Sequence, residues 1–164
     1  MFRSHVLICG GTGCTSSGST VLRQALEKEL AANELQDEIK IVTTGCFGLC
    51  ALGPVMIVYP DGTFYSMVNP EDIPEIVEEH LLKGRPVARL EYHEKTGDHH
   101  VVTSLSETNF YKQQKRVALR NCGVIDPEKI EEYIAMDGYQ ALGKVLTEMT
   151  PDQVIQTILD SGLR

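Results

Sequence analysis

Apolar residues in the first half of the chain fall into short runs separated by an amphipathic stripe. The run at residues 6–8 predicts a short buried strand over residues 5–8, and residues 39–43 predict a second strand. Between these strands, leucines recur at the spacing of one helix face, and Ser19 or Thr20 is the expected N-cap. The leucines of this stripe are Leu22, Leu26 and Leu30, with Val21 and Ala25 beside them.

A hairpin and a second helix are predicted next. Pro60-Asp61-Gly62 separates the apolar residues 55–59 from residues 63–65, which is typical of a β-hairpin. The sequence Asn-Pro-Glu-Asp at 69–72 supplies a cap, a first-turn proline and two acids, so a helix should begin there and end at Gly84. The order β-α-β-β-β-α predicts an α/β fold in which two helices cover a small sheet. The buried stripe of the second helix is expected to be Ile73, Ile76, Val77 and Leu81.

Residues 86–108 are more polar and predict a linker or an edge hairpin on the surface. His99 and His100 lie in this stretch, and on a strand they would face opposite sides rather than form a metal site.

Residues 109–164 have a helical pattern with a thin core of their own. The first helix, from Phe110, carries a basic run that we interpret as a solvated face. Further helices are expected from Asp126 to Gly138, from Tyr139 to Met149, and from a capping box at 150–153 to Gly162. The basic run is Lys112, Lys115, Arg116 and Arg120.

Composition excludes several classes of function. The net charge of −8 over 164 residues argues against nucleic-acid binding. No apolar run approaches the length of a transmembrane helix, so we expect no direct membrane insertion. The chain shows no secretory signal, and we expect a cytoplasmic protein whose thiols stay reduced.

Four of the five cysteines form two short-range pairs. Cys9 and Cys14 make a C-x4-C pair after the first predicted strand, and Cys46 and Cys50 make a C-x3-C pair after the second. Open α/β sheets place their sites at the carboxyl ends of strands, so the two pairs should meet. Four thiolates, two for each iron, suit a 2Fe-2S cluster. The fifth, Cys122, is expected to be a small buried hydrophobe with no role in the cluster.

Two other interpretations of the four cysteines stay open. Structural zinc also takes four thiolates, but its usual C-x2-C spacing is missing from both pairs. A thiol-disulfide enzyme of the thioredoxin type would likewise need C-x-x-C. A zinc-stabilised adaptor and a thiol-disulfide protein are therefore the alternatives to an electron carrier.

Residues 1–85 resemble the thioredoxin-like 2Fe-2S ferredoxins, a fold also found in respiratory complex I. The resemblance rests on the C-x4-C and C-x3-C pairs, on Phe-Gly-Leu before Cys50, and on Gly53-Pro54-Val55. It implies a thioredoxin-like domain with a small mixed sheet and two helices. It also implies that Cys9, Cys14, Cys46 and Cys50 are the cluster ligands and that the peptide bond before Pro54 is cis.

Residues 109–164 resemble the start of the family of complex I subunits that bind flavin and NAD. The resemblance rests on residues 119–127, on Gly-Tyr-Gln-Ala-Leu at 138–142 and on Ser-Gly-Leu-Arg at 161–164. These residues most resemble the diaphorase subunits of NAD(P)-linked, electron-bifurcating iron-only hydrogenases and of related formate dehydrogenases. The resemblance implies that FMN and NAD(P) bind to a downstream part or a partner chain.

Together these patterns predict one-electron transfer through a 2Fe-2S cluster within a multisubunit NAD(P)-linked oxidoreductase. Four-cysteine clusters of the plant type have potentials on the order of −400 mV. No convincing set of catalytic acids, bases or nucleophiles is present, so the chain alone is not expected to be catalytic. Its partners should be the other subunits of a redox complex.

Overall fold

The computed structural model describes residues 2–93, 104 and 107–163. The chain divides into two compact units, Met1–Asp126 and Pro127–Arg164, which we call the first and the second unit. None of the described helices is both long enough and apolar enough to cross a membrane.

A mixed four-stranded sheet forms the centre of the first unit. Its strands are β1 (Ser4–Cys9), β2 (Ile39–Thr44), β3 (Met56–Tyr59) and β4 (Thr63–Tyr65), in the order β2-β1-β3-β4. β1 runs parallel to β2 and antiparallel to β3, and β3 and β4 form the predicted hairpin. The α/β fold class with a small mixed sheet is confirmed. The peptide bond before Pro54 is cis as expected, and the bond before Pro60 is also cis.

Two predicted helices cover the sheet. The first is α2 (Ser19–Ala32), which follows a five-residue helix α1 (Thr12–Ser16) that the sequence pattern did not predict. The second begins with a 3-10 turn at Pro70–Asp72, continues through α3 (Ile73–Glu75) and extends as a π-helix over Ile76–Leu82. The three leucines of the first stripe and all four residues of the second are buried, whereas Val21, beside the first stripe, is exposed.

The predicted N-cap of α2 is wrong. The N-cap residue is Gly18, in a left-handed conformation with φ of +97°, and no side chain caps the helix. Ser19 is instead the first helical residue and is buried against the core. By contrast, the predicted cap at Asn69 is present, since its backbone N–H donates to the Asp72 carboxylate at 2.8 Å.

The core lies on both faces of the sheet because side chains alternate along each strand. Val6 and Ile8 point to the face covered by α2 and the second helix. Leu7 and Cys9 point to the opposite face, where they pack with Phe47 and other buried residues. Cys9 is therefore both a core residue and the last residue of β1. The other buried members of this second cluster are Cys14, Val42, Val55, Ile57 and Phe64.

The segment after Gly84 follows the outer edge of β4. A 3-10 turn covers Ala88–Leu90, and isolated bridges join Glu91 to Tyr65 and Ser104 to Thr63. His99 and His100 lie outside the described residues.

The helix predicted from Phe110 is much shorter than expected. It is α4 (Asn109–Lys112), so Lys115, Arg116 and Arg120 do not share a helix face with Lys112. Arg116 instead lies over the ring of Tyr111, 5.1 Å from its centroid. The four basic residues therefore do not form one continuous helix face.

The second unit consists of α5 (Ile130–Ala135), α6 (Gln140–Glu148) and α7 (Pro151–Asp160). The capping box of α7 is confirmed: the Thr150 N–H donates to Gln153 Oε1 at 2.8 Å and the Gln153 N–H donates to Thr150 Oγ1 at 3.4 Å. The helix predicted from Asp126 begins only at Ile130. Asp126 belongs to the first unit, where it forms an ion pair with Lys40 at 2.9 Å rather than capping a helix.

Candidate metal centre

The four predicted cysteine ligands come together where β1 and β2 end. Cys9 is the last residue of β1 and pairs in register with Thr44, the last residue of the parallel strand β2. Cys14 lies in α1, and Cys50 begins the 3-10 turn Cys50–Leu52. Cys9 and Cys14 lie in the same buried cluster, and the Sγ atoms of Cys46 and Cys50 are 3.9 Å apart. The expectation that both cysteine pairs gather at one end of the sheet is confirmed.

Glycines allow the two cysteine loops to pack directly on each other. A Cβ atom at Gly11 would lie 2.9 Å from the Cβ of Cys46, and one at Gly13 would lie 3.1 Å from the Cβ of Cys50. A Cβ atom at Gly53 would lie 2.8 Å from the Sγ of Cys14. Each loop therefore makes room for the cysteines of the other.

The two pairs differ in their exposure to solvent. Cys9 and Cys14 are 2% and 1% exposed, whereas Cys46 and Cys50 are exposed. We call Cys9 and Cys14 the inner pair and Cys46 and Cys50 the outer pair. The inner pair is held by the hydrophobic core, and the outer pair faces the surface.

One thiol in each pair, Cys14 and Cys50, has a raised pKa in the absence of metal. Burial, together with the hydrogen bond and charge of Cys9, raises the pKa of the Cys14 thiol to about 11. The hydrogen bond with Cys46, and then the charge of Cys46, raises the pKa of Cys50. Thiolate is the form that ligates metal, so metal binding at this site must displace protons.

A backbone donor already faces one of the outer sulfurs. The Gly48 N–H donates to Cys46 Sγ at 3.2 Å, and Gly48 has a φ of +80°, a conformation that favours glycine. Donors of this kind stabilise negative charge on a metal-bound sulfur.

Cys122 lies beside the outer pair, which the sequence did not indicate. Its thiol donates to the Cys46 carbonyl oxygen at 3.4 Å, and a Cβ atom at Gly45 would lie 3.0 Å from its sulfur. It is half-buried, so the expectation of a fully buried thiol is wrong. The two residues are 76 positions apart, and the local sequence around Cys122 contains no cysteine pair, so the sequence could not predict this contact.

The four cysteines, arranged as two pairs, fit the needs of a 2Fe-2S cluster. A tetrahedral zinc site needs all four ligands around one point, whereas a 2Fe-2S cluster needs only two cysteines at each iron. The inner and outer pairs supply two cysteines each.

Comparison with known proteins agrees with this chemistry. Residues 2–81 match the model of the family described as thioredoxin-like [2Fe-2S] ferredoxin. The 2Fe-2S ferredoxin of Clostridium pasteurianum is 40% identical over 97 residues, which cover 54% of this chain and 95% of that protein. The chain belongs to the thioredoxin-like 2Fe-2S ferredoxin family. Its cofactor is a 2Fe-2S cluster, and its function is electron transfer.

A solved structure from this family shares the fold. The thioredoxin-like [2Fe-2S] ferredoxin from Aquifex aeolicus aligns with a TM-score of 0.50 and 39% sequence identity. The alignment covers 55% of this chain and 90% of that chain. The thioredoxin-like fold of the ferredoxin part is therefore established.

A larger redox protein is also similar over a shorter stretch. The NADP-reducing hydrogenase subunit HndC of Solidesulfovibrio fructosivorans is 53% identical over 60 residues, which cover 37% of this chain and 12% of that protein. Its name describes one subunit of a redox enzyme that reduces NADP. A component of the NADH-quinone oxidoreductase of Rhizobium meliloti is 44% identical over 48 residues, which cover 29% of this chain and 11% of that protein.

Proposed function

We propose that this chain passes single electrons through a 2Fe-2S cluster held by Cys9, Cys14, Cys46 and Cys50, as part of a multisubunit NAD(P)-linked oxidoreductase. The observation that carries the proposal is the meeting of the two cysteine pairs at the ends of β1 and β2. When bound, the cluster supplies a centre that accepts and releases one electron.

The inner and outer cysteine pairs would have different roles, because one pair is buried and the other is exposed. The inner pair, Cys9 and Cys14, is buried and would hold the cluster from the core. The outer pair, Cys46 and Cys50, lies at the surface, where a redox partner can approach closely. Electrons should therefore enter and leave on the side of the outer pair.

The larger assembly is the finer part of the proposal. We assign residues 1–85 to the ferredoxin domain, residues 86–108 to a linker or edge hairpin, and residues 109–164 to the front of a flavin- and NAD-binding module. The short similarities to HndC and to the Rhizobium meliloti protein support an assembly of the hydrogenase or complex I type. FMN and NAD(P) would bind on a downstream part or a partner, and the chain alone would not be catalytic. We place the assembly in the cytoplasm, where thiols stay reduced.

The test is metal analysis and EPR spectroscopy on the anaerobically purified chain. We expect about two iron atoms and two acid-labile sulfides for each chain, with an S = 1/2 signal that appears on reduction by dithionite. Zinc without iron would replace the proposal with a zinc-stabilised adaptor. Absence of both metals after anaerobic reconstitution with iron and sulfide would favour a thiol-disulfide protein.

Matched alanine variants test the ligand set. Cys46→Ala should lose the iron and the EPR signal because alanine offers no ligand atom, whereas Cys122→Ala should keep both. The reverse result would show that Cys122 is a ligand and Cys46 is not.

A further inference from the structure

The peptide group between Phe47 and Gly48 is hydrogen-bonded on both of its sides. Its N–H, from Gly48, donates to Cys46 Sγ at 3.2 Å. Its carbonyl oxygen, from Phe47, accepts a hydrogen bond from the hydroxyl of Tyr111. A single peptide group therefore connects the Tyr111 hydroxyl to the Cys46 sulfur.

Tyr111 is held in place by its own neighbours. Its backbone N–H donates to Oγ1 of Thr108, a residue that is 2% exposed, at 3.2 Å. The guanidinium of Arg116 lies over its ring and also donates to the Cys122 carbonyl oxygen at 3.0 Å. Phe110 packs edge-on against the same ring, with centroids 5.4 Å apart. The hydroxyl is thus aimed at the loop by a fixed ring rather than by a mobile surface side chain.

The loop that carries the Phe47 carbonyl oxygen is also held in place by packing and hydrogen bonding. The Phe47 side chain is 2% exposed, and a Cβ atom at Gly123 would lie 2.3 Å from its ring. The Gly123 N–H donates to Oγ1 of Thr44, at the end of β2, at 2.9 Å. The Phe47 carbonyl therefore has little freedom to turn away from Tyr111.

The hydroxyl of Tyr111 is a proton donor at neutral pH. Burial raises the pKa of Tyr111, and the nearby Arg116 charge only partly offsets that rise. The Phe47 carbonyl can only accept, so the direction of the hydrogen bond is settled.

We infer that Tyr111 is a positioning residue for the metal centre: its hydroxyl holds and polarises the Phe47–Gly48 peptide, whose N–H then stabilises negative charge on the Cys46 sulfur. This inference rests on the proposed function, in which Cys46 is a cluster ligand. A hydrogen bond to one end of a peptide strengthens the bond made by its other end. Donors to cluster sulfurs favour the reduced, more negative state, so Tyr111 raises the reduction potential.

The experiment compares Tyr111→Phe with Tyr59→Phe in EPR-monitored redox titrations of the full chain. Tyr59 is a matched control, because it is also half-buried, and it pairs with His5 at the end of β1 opposite Cys9. We expect Tyr111→Phe to weaken electron uptake about threefold, a fall in midpoint potential of about 30 mV at 59 mV for each tenfold change. Tyr59→Phe should leave the potential unchanged, and both variants should have similar melting temperatures.

The outcomes separate this inference from the proposed function. A wild-type chain without an EPR signal would overturn the proposed function itself. A wild-type signal with the same potential in Tyr111→Phe would overturn only the role of Tyr111. If Tyr111→Phe takes up too little iron to titrate, Thr108→Ala decides the matter. That variant removes the acceptor for the Tyr111 N–H, so it should lower the potential in the same direction, and an unchanged potential would overturn the inference.

A second measurement detects the hydrogen bond directly. Pulsed EPR of the reduced protein, labelled with 15N-glycine, should show a nitrogen coupling from Gly48 and an exchangeable proton on that nitrogen. Both couplings should decrease in Tyr111→Phe and stay unchanged in Tyr59→Phe. Equal couplings in all three proteins would show that Tyr111 does not act on this bond.

Discussion

The two units of this chain carry the same kind of helical pattern and bury it to opposite degrees. In the first unit, Leu22, Leu26 and Leu30 of α2 are at most 2% exposed. In the second unit, Leu146 of α6 and Leu159 of α7 are 74% and 67% exposed. An apolar stripe therefore predicts a helix and a face that needs a partner, but it does not say where that partner is.

The difference arises from the sheet. Strands β1 and β3 give α2 a wide apolar surface, formed by residues such as Val6 and Met56. Over residues 127–163, the described part of the second unit, there is no strand and no buried hydrophobic side chain. Under our proposal that residues 109–164 form the front of a larger module, that module would supply an apolar surface for these helices.

The largest contrast is expected from one small substitution in each unit. Gly11→Ala should abolish cluster binding, because the new Cβ would lie 2.9 Å from the Cβ of Cys46. Gly143→Ala places a methyl group in open space within α6, so it should instead stabilise that helix by about 1 kcal/mol. Iron content and circular dichroism measure the two effects. Full iron loading in Gly11→Ala would show that the loops can separate without losing the site.

Hydrogen exchange of the intact chain compares the two units directly. Amides of β1 and β3 should exchange only through global unfolding, whereas those of α6 and α7 should exchange by local opening. We expect protection factors in the sheet to exceed those in α6 and α7 by about 10³-fold, given typical domain stabilities. Similar protection in both units would mean that the exposed stripes are covered in solution.

Replacing one leucine with alanine in each unit compares the contribution of a buried side chain with that of an exposed one. Leu26→Ala removes a fully buried side chain and should lower the free energy of unfolding of the first unit by about 3 kcal/mol. Leu146→Ala removes an exposed one and should change stability by less than about 0.5 kcal/mol. Chemical denaturation measures both values. A large loss for Leu146→Ala would indicate that α6 already has a packing partner.

The predictions that succeeded depend on short-range patterns. The strands, both stripes, the hairpin and the capping box at Thr150 each follow from residues within a few positions of one another. The helix α1 was missed because its five residues are small and polar and show no apolar stripe. The cap at Ser19 was wrong because the helix begins one residue earlier than predicted: Gly18, whose left-handed conformation favours glycine, takes the N-cap position and Ser19 is already helical.

The sequence by itself determined the fold class and the four cysteines of the candidate site. Strand and helix periods are local, and each cysteine pair follows the carboxyl end of a strand, where open α/β sheets place their sites, so their meeting could be predicted. Only the tertiary structure decided which pair is inner and which is outer, because exposure depends on what packs around each loop. It alone also brought Tyr111 to Phe47 and Cys122 to Cys46, across 64 and 76 residues. Such contacts arise from long-range packing, and no local sequence pattern predicts them.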